Sequence, residues 1–462
     1  MNSNKLIKLG KLAKKNESYL YSLPFLLTAV MLNLQFFAGL MYQSNPIYTI
    51  LNVLASAILY FWLAYIIIKM WIFDSGIRKY LICAVLVVLL FVICYGIAII
   101  RFGLSPIIQK QLSSFVLFGP LALFVGAVVG LKQKETDFFS MGELFCYIAM
   151  PIAIHYVVLL VTNMSPYDNG GIGIVDYMQL SYAFMPMLFI LTVQFIKGNS
   201  SIAIISSHKS INILRAVSIL IYWLLILGSA TRGAILGVLC FLIFLAVFML
   251  ISKRKLKRLL VVGGAVVIVY ILLTYVVTLP GMERLSRMEQ LTSNFAEGEL
   301  SSANDAAIVG EVNIDVVVQS DNAEQYGFYI GKTIKNRTTI FTLAWKEALK
   351  APLTGMGPFA FSQKYGSYPH NFVLELFCEL GFVFGGLALC LILYAFVKLA
   401  IYCFKDFDTG LLLVFLCGYL VQLMVSGTVW ARPVIMFGLG YGLCYLPKIR
   451  GFSNSKKEKA VK

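Results

Sequence analysis

Long apolar runs separated by short polar segments recur along most of the chain. They cover residues 20–42, 47–70, 80–100, 113–131, 143–162 and 175–196, then 211–228, 233–251, 259–279, 372–397, 410–427 and 433–447. Each is close to the roughly 20 residues that a helix needs to cross hydrocarbon, and none alternates apolar with polar positions as a barrel strand does. The pattern predicts an all-α polytopic membrane protein of about 12 transmembrane helices. It divides the chain into a basic amphipathic segment (1–19), nine helices (20–279), a large extracytoplasmic loop (280–371), three helices (372–447) and a basic tail (448–462).

Composition agrees. Of 462 residues, 60% are hydrophobic and 13% charged, with a mean hydropathy of +0.83, more apolar surface than a water-soluble domain can cover. The formal charge of +16 would suggest a nucleic-acid partner if it were gathered in one patch. It is instead spread over the short segments between runs: Lys69/Arg78/Lys79, Lys132/Lys134, Lys197/Lys209, Lys253 to Arg258, Lys398/Lys405 and the tail from Lys448. With the N-terminus inside, all of these fall on the cytoplasmic side and both termini are cytoplasmic, so the charge encodes topology and no nucleic-acid partner is expected. Lys5, Lys8, Lys11, Lys14 and Lys15 alternate with apolar residues, and no small-residue cleavage site follows. That stretch reads either as an amphipathic segment on the inner membrane face or as a disordered basic tail. The nine cysteines lie in or beside the runs without a CxxC, and there is no HExxH, P-loop or GxGxxG after a strand. They read as packing residues, and zinc or nucleotide chemistry finds no support.

The loop is charge-segregated. Acids dominate from Glu283 to Glu324, against Arg284 and Arg287; bases dominate from Lys332 to Lys364, against Glu347. The first half reads as a mobile or irregular cover. In residues 333–350, Ile340, Leu343, Ala344 and Ala348 share one helical face, and Pro352 and Gly355 stop the run. This predicts an amphipathic helix, lying on the outer membrane surface or packed on the bundle.

Three residues on the outer side stand apart: His370, where the chain re-enters the membrane; Arg232, in a short connection between the seventh and eighth runs; and Arg337, which opens the amphipathic helix. Singly, each has a bland reading, since an arginine at a helix end can snorkel and a loop histidine can cap a helix. Their shared side of the membrane is the reason to group them.

Taken together, the motifs resemble a known family. Arg337 through Trp345 to Pro352, then GMGPF at 355–359, then PHNFVLELFCELGFVFGG at 369–386 are similar to the hallmark region of the O-antigen polymerase and O-antigen ligase superfamily. SATRGA at 229–234 is similar to that family's Ser-Arg-Gly turn. The resemblance spans roughly residues 211–398. It implies transfer of a glycan from undecaprenyl diphosphate to an acceptor sugar on the outer face of the bacterial cytoplasmic membrane, with no cofactor or metal. It matches Arg232 and Arg337 to the family's two essential arginines and His370 to its histidine, with Arg284 or Arg287 the alternative for the second arginine.

The residue types suit that chemistry. Guanidinium groups can fork onto diphosphate oxygens as leaving-group charge develops, a planar geometry that lysine cannot hold. An imidazole with an unperturbed pKa of about 6.5 can accept the proton of an acceptor hydroxyl. Asn371, Glu375, Glu379, Arg284 and Arg432 are the candidate substrate-binding residues. Glu375 and Glu379 could orient His370, bind sugar hydroxyls, or simply occupy the positive end of the next helix. Arg101 and Arg432 could contact diphosphate or lipid, and Tyr365, Tyr368 and Trp430 could stack on sugars.

The leading expectation is an inverting glycosyltransferase that polymerises lipid-linked repeat units for O-antigen, capsule or another exopolysaccharide, working with a chain-length regulator and a flippase. A ligase that moves a finished glycan to lipid A-core or protein is the alternative. A different class, a lipid-linked oligosaccharide flippase or other transporter, would favour two related halves around a long cytoplasmic connection. Here the long loop is late and external.

Overall fold

The computed structural model describes residues 46–73, 75–103, 106–132, 135–161, 177–198, 208–228, 232–252, 260, 262–264, 337–365, 368–425 and 433–446. The described chain is all-helical: α1 (Pro46–Phe73), α2 (Arg78–Phe102), α3 (Pro106–Lys132), α4 (Glu135–Ile148), α5 (Met150–Val161), α6 (Tyr177–Lys197), α7 (His208–Gly228), α8 (Arg232–Ile251), α9 (Arg337–Lys350), α10 (Ala360–Tyr365), α11 (Phe372–Tyr402), α12 (Phe407–Val425) and α13 (Pro433–Cys444). Helices satisfy their backbone polar groups internally, as hydrocarbon requires.

Five of them, α2, α7, α8, α11 and α12, are long and apolar enough to cross a membrane. The pair α4 and α5, bent by 43°, makes a sixth if counted as one broken crossing. Large apolar side chains are exposed on these helices and on α1, among them Phe61 of α1, Ile100 of α2, Ile243 of α8 and Leu393 and Val397 of α11. Exposed apolar residues in that number suit lipid and not water. The chain is thus a helical membrane protein. The expected crossings at 20–42 and 259–279 lie wholly or mostly outside the described residues, so the count of about 12 stays an expectation. The run read as a single crossing at 143–162 is divided at Ala149, where Pro151 removes a backbone donor from the ladder.

Two packing devices hold the bundle. Helices α3 and α13 meet backbone to backbone: a Cβ on Gly126 would lie 2.0 Å from the Phe437 carbonyl oxygen, and one on Gly440 would lie 1.9 Å from that of Leu123. Small residues permit this approach where lipid offers no hydrophobic drive for helix association. The second device is a buried ion pair between α4 and α7. Arg215 donates through Nε and Nη2 to both oxygens of Glu143, at 2.6 and 2.8 Å, and neither side chain is exposed. Gln194 of α6 (3.1 Å) and Tyr147 of α4 (2.7 Å) donate to the same carboxylate. The sequence reading passed over this cluster. The rule that an ionisable residue inside an apolar run is there for a reason would have flagged both Glu143 and Arg215.

Helix α8 runs antiparallel to α12, with Gly410 against Phe248 and Gly418 against Phe241. Helix α12 returns along α11 after a short turn. The start of α8, the end of α12 and the start of α11 therefore share one end of the bundle, to which α9 and α10 are attached.

Candidate functional site

The site is built on a break in α11. Gly381 has φ +74° and ψ 177° in the middle of an apolar run, a conformation that glycine adopts without strain. The break leaves backbone groups without their helical partners, and the loop after α9 takes them up. The amides of Met356 and Gly357 donate to the carbonyls of Cys378 (2.9 Å) and Glu379 (2.8 Å), while the Phe382 amide donates to Pro352 (2.6 Å). The two backbones touch. A Cβ on Gly355 would lie 2.4 Å from the Glu379 carbonyl oxygen, and one on Gly381 would lie 2.6 Å from the Leu353 carbonyl carbon. The Gly-Met-Gly motif and the glycine of Glu-Leu-Gly are thus two halves of one contact, which explains why both must be glycine.

Two further groups lock the loop. Arg101, at the end of α2, donates to the Gly355 carbonyl at 2.7 Å and to Thr354 Oγ1 at 2.6 Å. Glu379, buried, accepts the Phe359 amide on Oε2 at 2.9 Å. Phe359 itself has φ +62°, and its ring lies 6.5 Å from that of Tyr95. Tyr95 is within electrostatic reach of both Glu379 and Glu375.

Helix α9 closes over this loop. Ile340, Ala344 and Ala348 are buried with Phe361, Tyr365 and Cys378, as the periodicity predicts, and Leu343 packs against them. Beneath lies Glu347, whose Oε1 accepts from Tyr365 (2.7 Å), Lys350 (2.9 Å) and Lys364 (3.1 Å). Burial alone would push this carboxyl up, but the three donors outweigh it and hold it below its ordinary value.

His370 stands between this assembly and α11. It is half-buried, at φ +56°, a left-handed conformation uncommon for a residue with a Cβ and found where surrounding structure enforces it. Its ring packs against Tyr368 at 4.1 Å. Asn371 is the N-cap of α11, its Oδ1 accepting from the amides of Val373 (3.0 Å) and Leu374 (3.1 Å), so the His-Asn pair fixes where the helix starts.

The expected site residues therefore divide. His370, Asn371, Glu375 and Glu379 are brought together at the head of α11. Both carboxylates are buried, and the geometry gives Glu379 a loop-holding contact and Asn371 a capping one. Arg232 opens α8 and Arg337 opens α9 at this same end of the bundle. Arg284, Arg287, Arg432 and Trp430 lie outside the described residues. Of the aromatics expected to stack on sugars, Tyr365 is buried and bonded to Glu347, while Tyr368 remains half-exposed. Arg101 turns out to grip the loop. Its partners are more than 250 residues away, so no sequence signal pointed to them.

Fold and site together define a helical membrane protein in which a glycine-rich loop grips the break in α11, the helix that His370 and Asn371 precede. Comparison with known families gives a match of residues 217–390 to the O-antigen ligase family model. The matched segment runs from within α7 into α11 and takes in Arg232, Arg337, the Gly-Met-Gly loop and His370, so over this stretch, under half of its length, the chain is similar to that family. No curated protein and no solved structure matches the chain.

Proposed function

We propose that this protein is an inverting, metal-independent glycosyltransferase of the bacterial cytoplasmic membrane. It polymerises undecaprenyl-diphosphate-linked oligosaccharide repeats on the extracytoplasmic face, with both termini cytoplasmic. The acceptor hydroxyl oxygen bonds to the anomeric carbon as the bond from that carbon to the diphosphate oxygen breaks. His370 takes the hydroxyl proton as general base. Arg232 and Arg337 bind the departing lipid diphosphate and stabilise the charge it gains. Attack and departure on opposite faces of the sugar invert the anomeric configuration.

The observation that carries this reading is the matched segment itself, residues 217–390, within which Arg232, Arg337 and His370 all fall. Support for the orientation comes from the lysine and arginine bias of the connecting segments. The left-handed backbone of His370 and its half-buried position suit a group that must meet a substrate while holding one orientation.

The matched family is described as O-antigen ligase, which favours a second reading: transfer of a finished glycan to lipid A-core or protein. Purified protein in detergent, given a synthetic lipid-diphosphate repeat alone, separates the two. A ladder of extended products supports polymerisation. Product only when a lipid A-core or protein acceptor is added supports ligation. Absence of product under both conditions would refute both readings and favour a transporter.

A further inference from the structure

We propose that α9 is an interfacial helix, and that its outer surface docks on the headgroup layer of an anionic phospholipid bilayer. Three neighbouring ridges run along it. Ala344 and Ala348 are buried against the loop and α11. One residue further on, Trp345 and Leu349 are exposed at 45% and 55%, and Leu353 extends the ridge past the helix end at 67%. One residue further again lie Lys346 and Lys350, the latter side chain 66% exposed. A helix with protein on one flank, an uncovered apolar ridge and a cationic flank has the cross-section of a helix seated at a membrane surface.

The apolar ridge is continuous with the lipid-facing side of α11. The Trp345 ring meets Phe382 edge-on at 5.7 Å, and Val383 and Leu387, on the next turns of α11, are both about half exposed. The break at Gly381 sets the depth. From Phe382 to the end of α11 at Tyr402 the helix runs about 21 residues, or about 32 Å at ~1.5 Å per residue, which equals a typical hydrocarbon thickness of ~30 Å. A crossing that ends at Tyr402 puts the break at the hydrocarbon boundary. Trp345 sits at the level where indole rings concentrate, and the lysines sit at the level of lipid phosphates. A second copy of the chain is a poorer occupant, because a symmetric contact over this ridge would oppose Lys346 and Lys350 to their own copies.

The test is photo-crosslinking in nanodiscs of equal phosphatidylglycerol and phosphatidylcholine, with benzoylphenylalanine placed singly at Trp345, Leu349 and Leu353, and at Leu387 as a lipid-facing reference. Adducts are identified by mass spectrometry. Phospholipid adducts are expected at all four positions. At 345 and 349, phosphatidylglycerol should be favoured by about fivefold or more, the effect of one lysine near an anionic surface, and Lys346→Gln with Lys350→Gln should bring the ratio close to one. Lipid adducts at Leu387 but none at the three α9 positions, or adducts there to protein, would overturn the proposal. Lipid adducts whose headgroup ratio ignores the lysine changes would overturn its anionic part. The readout needs no enzymatic activity, so it stands apart from the glycosyltransferase assignment.

Discussion

Removing the Arg101 side chain should release the loop that frames the site. Arg101→Ala deletes two hydrogen bonds from a charged donor, to the Gly355 carbonyl and to Thr354 Oγ1. Such bonds contribute about 1.5–3 kcal/mol each when shielded. This guanidinium is only partly shielded, so about 2–3 kcal/mol for the pair is a reasonable magnitude, or about a 30- to 150-fold shift of the loop toward its released state. The Met356 and Gly357 amides, which donate to the carbonyls freed at the α11 break, should then exchange hydrogen faster by a comparable factor. The kcat/KM for glycan transfer should fall at least tenfold, with thermal stability in detergent little changed because Arg101 lies at the end of α2. Arg101→Lys, able to make one of the two contacts, should fall between. Exchange at Met356 and Gly357 that is unaltered in Arg101→Ala would refute the clamp, whatever happened to activity.

Gly381→Ala should be more damaging than its size suggests, because φ +74° strains any Cβ and the new atom would lie 2.6 Å from the Leu353 carbonyl carbon; loss of transfer activity with retained membrane insertion checks it. Arg215→Ala should cost about 3–5 kcal/mol by leaving Glu143 charged and buried, and adding Glu143→Leu should recover much of the loss; unfolding in detergent measures both. Glu347 makes an acid-sensitive contribution. Its folded pKa lies below the ordinary 4.5, so the stabilisation is full above that value and is lost as pH falls through the folded value. Protection against hydrogen exchange in 340–365, taken relative to the intrinsic rate at each pH, should fall as the pH drops below 4.5 and through the folded value in the native protein, while Glu347→Gln should show weaker protection without that loss.

Much of this architecture was legible in the residues, and the parts that were not share a cause. Apolar runs of membrane-spanning length located most helices because hydropathy is a local property. The period of Ile340, Ala344 and Ala348 located α9 for the same reason. What escaped were contacts between distant segments. The break at Gly381 looks like any glycine in an apolar run until Pro352 to Gly357 are found holding its freed backbone groups. Arg101 read as a helix-end arginine that could face lipid or diphosphate, and its clamp depends on a loop more than 250 residues away. At the site, His370 and Asn371 were legible as a pair because they open a helix. Glu379 offered several readings until the Phe359 amide was found on its carboxylate.

The central claim, that His370 accepts the acceptor's proton in a glycan transfer from lipid diphosphate, is tested most directly by following a synthetic lipid-linked repeat with purified His370→Ala. Product should fall by at least about 100-fold, general-base catalysis contributing typically 10²–10⁴, while the variant keeps native thermal stability and still binds the repeat. Extension at the native rate in that variant would contradict the account.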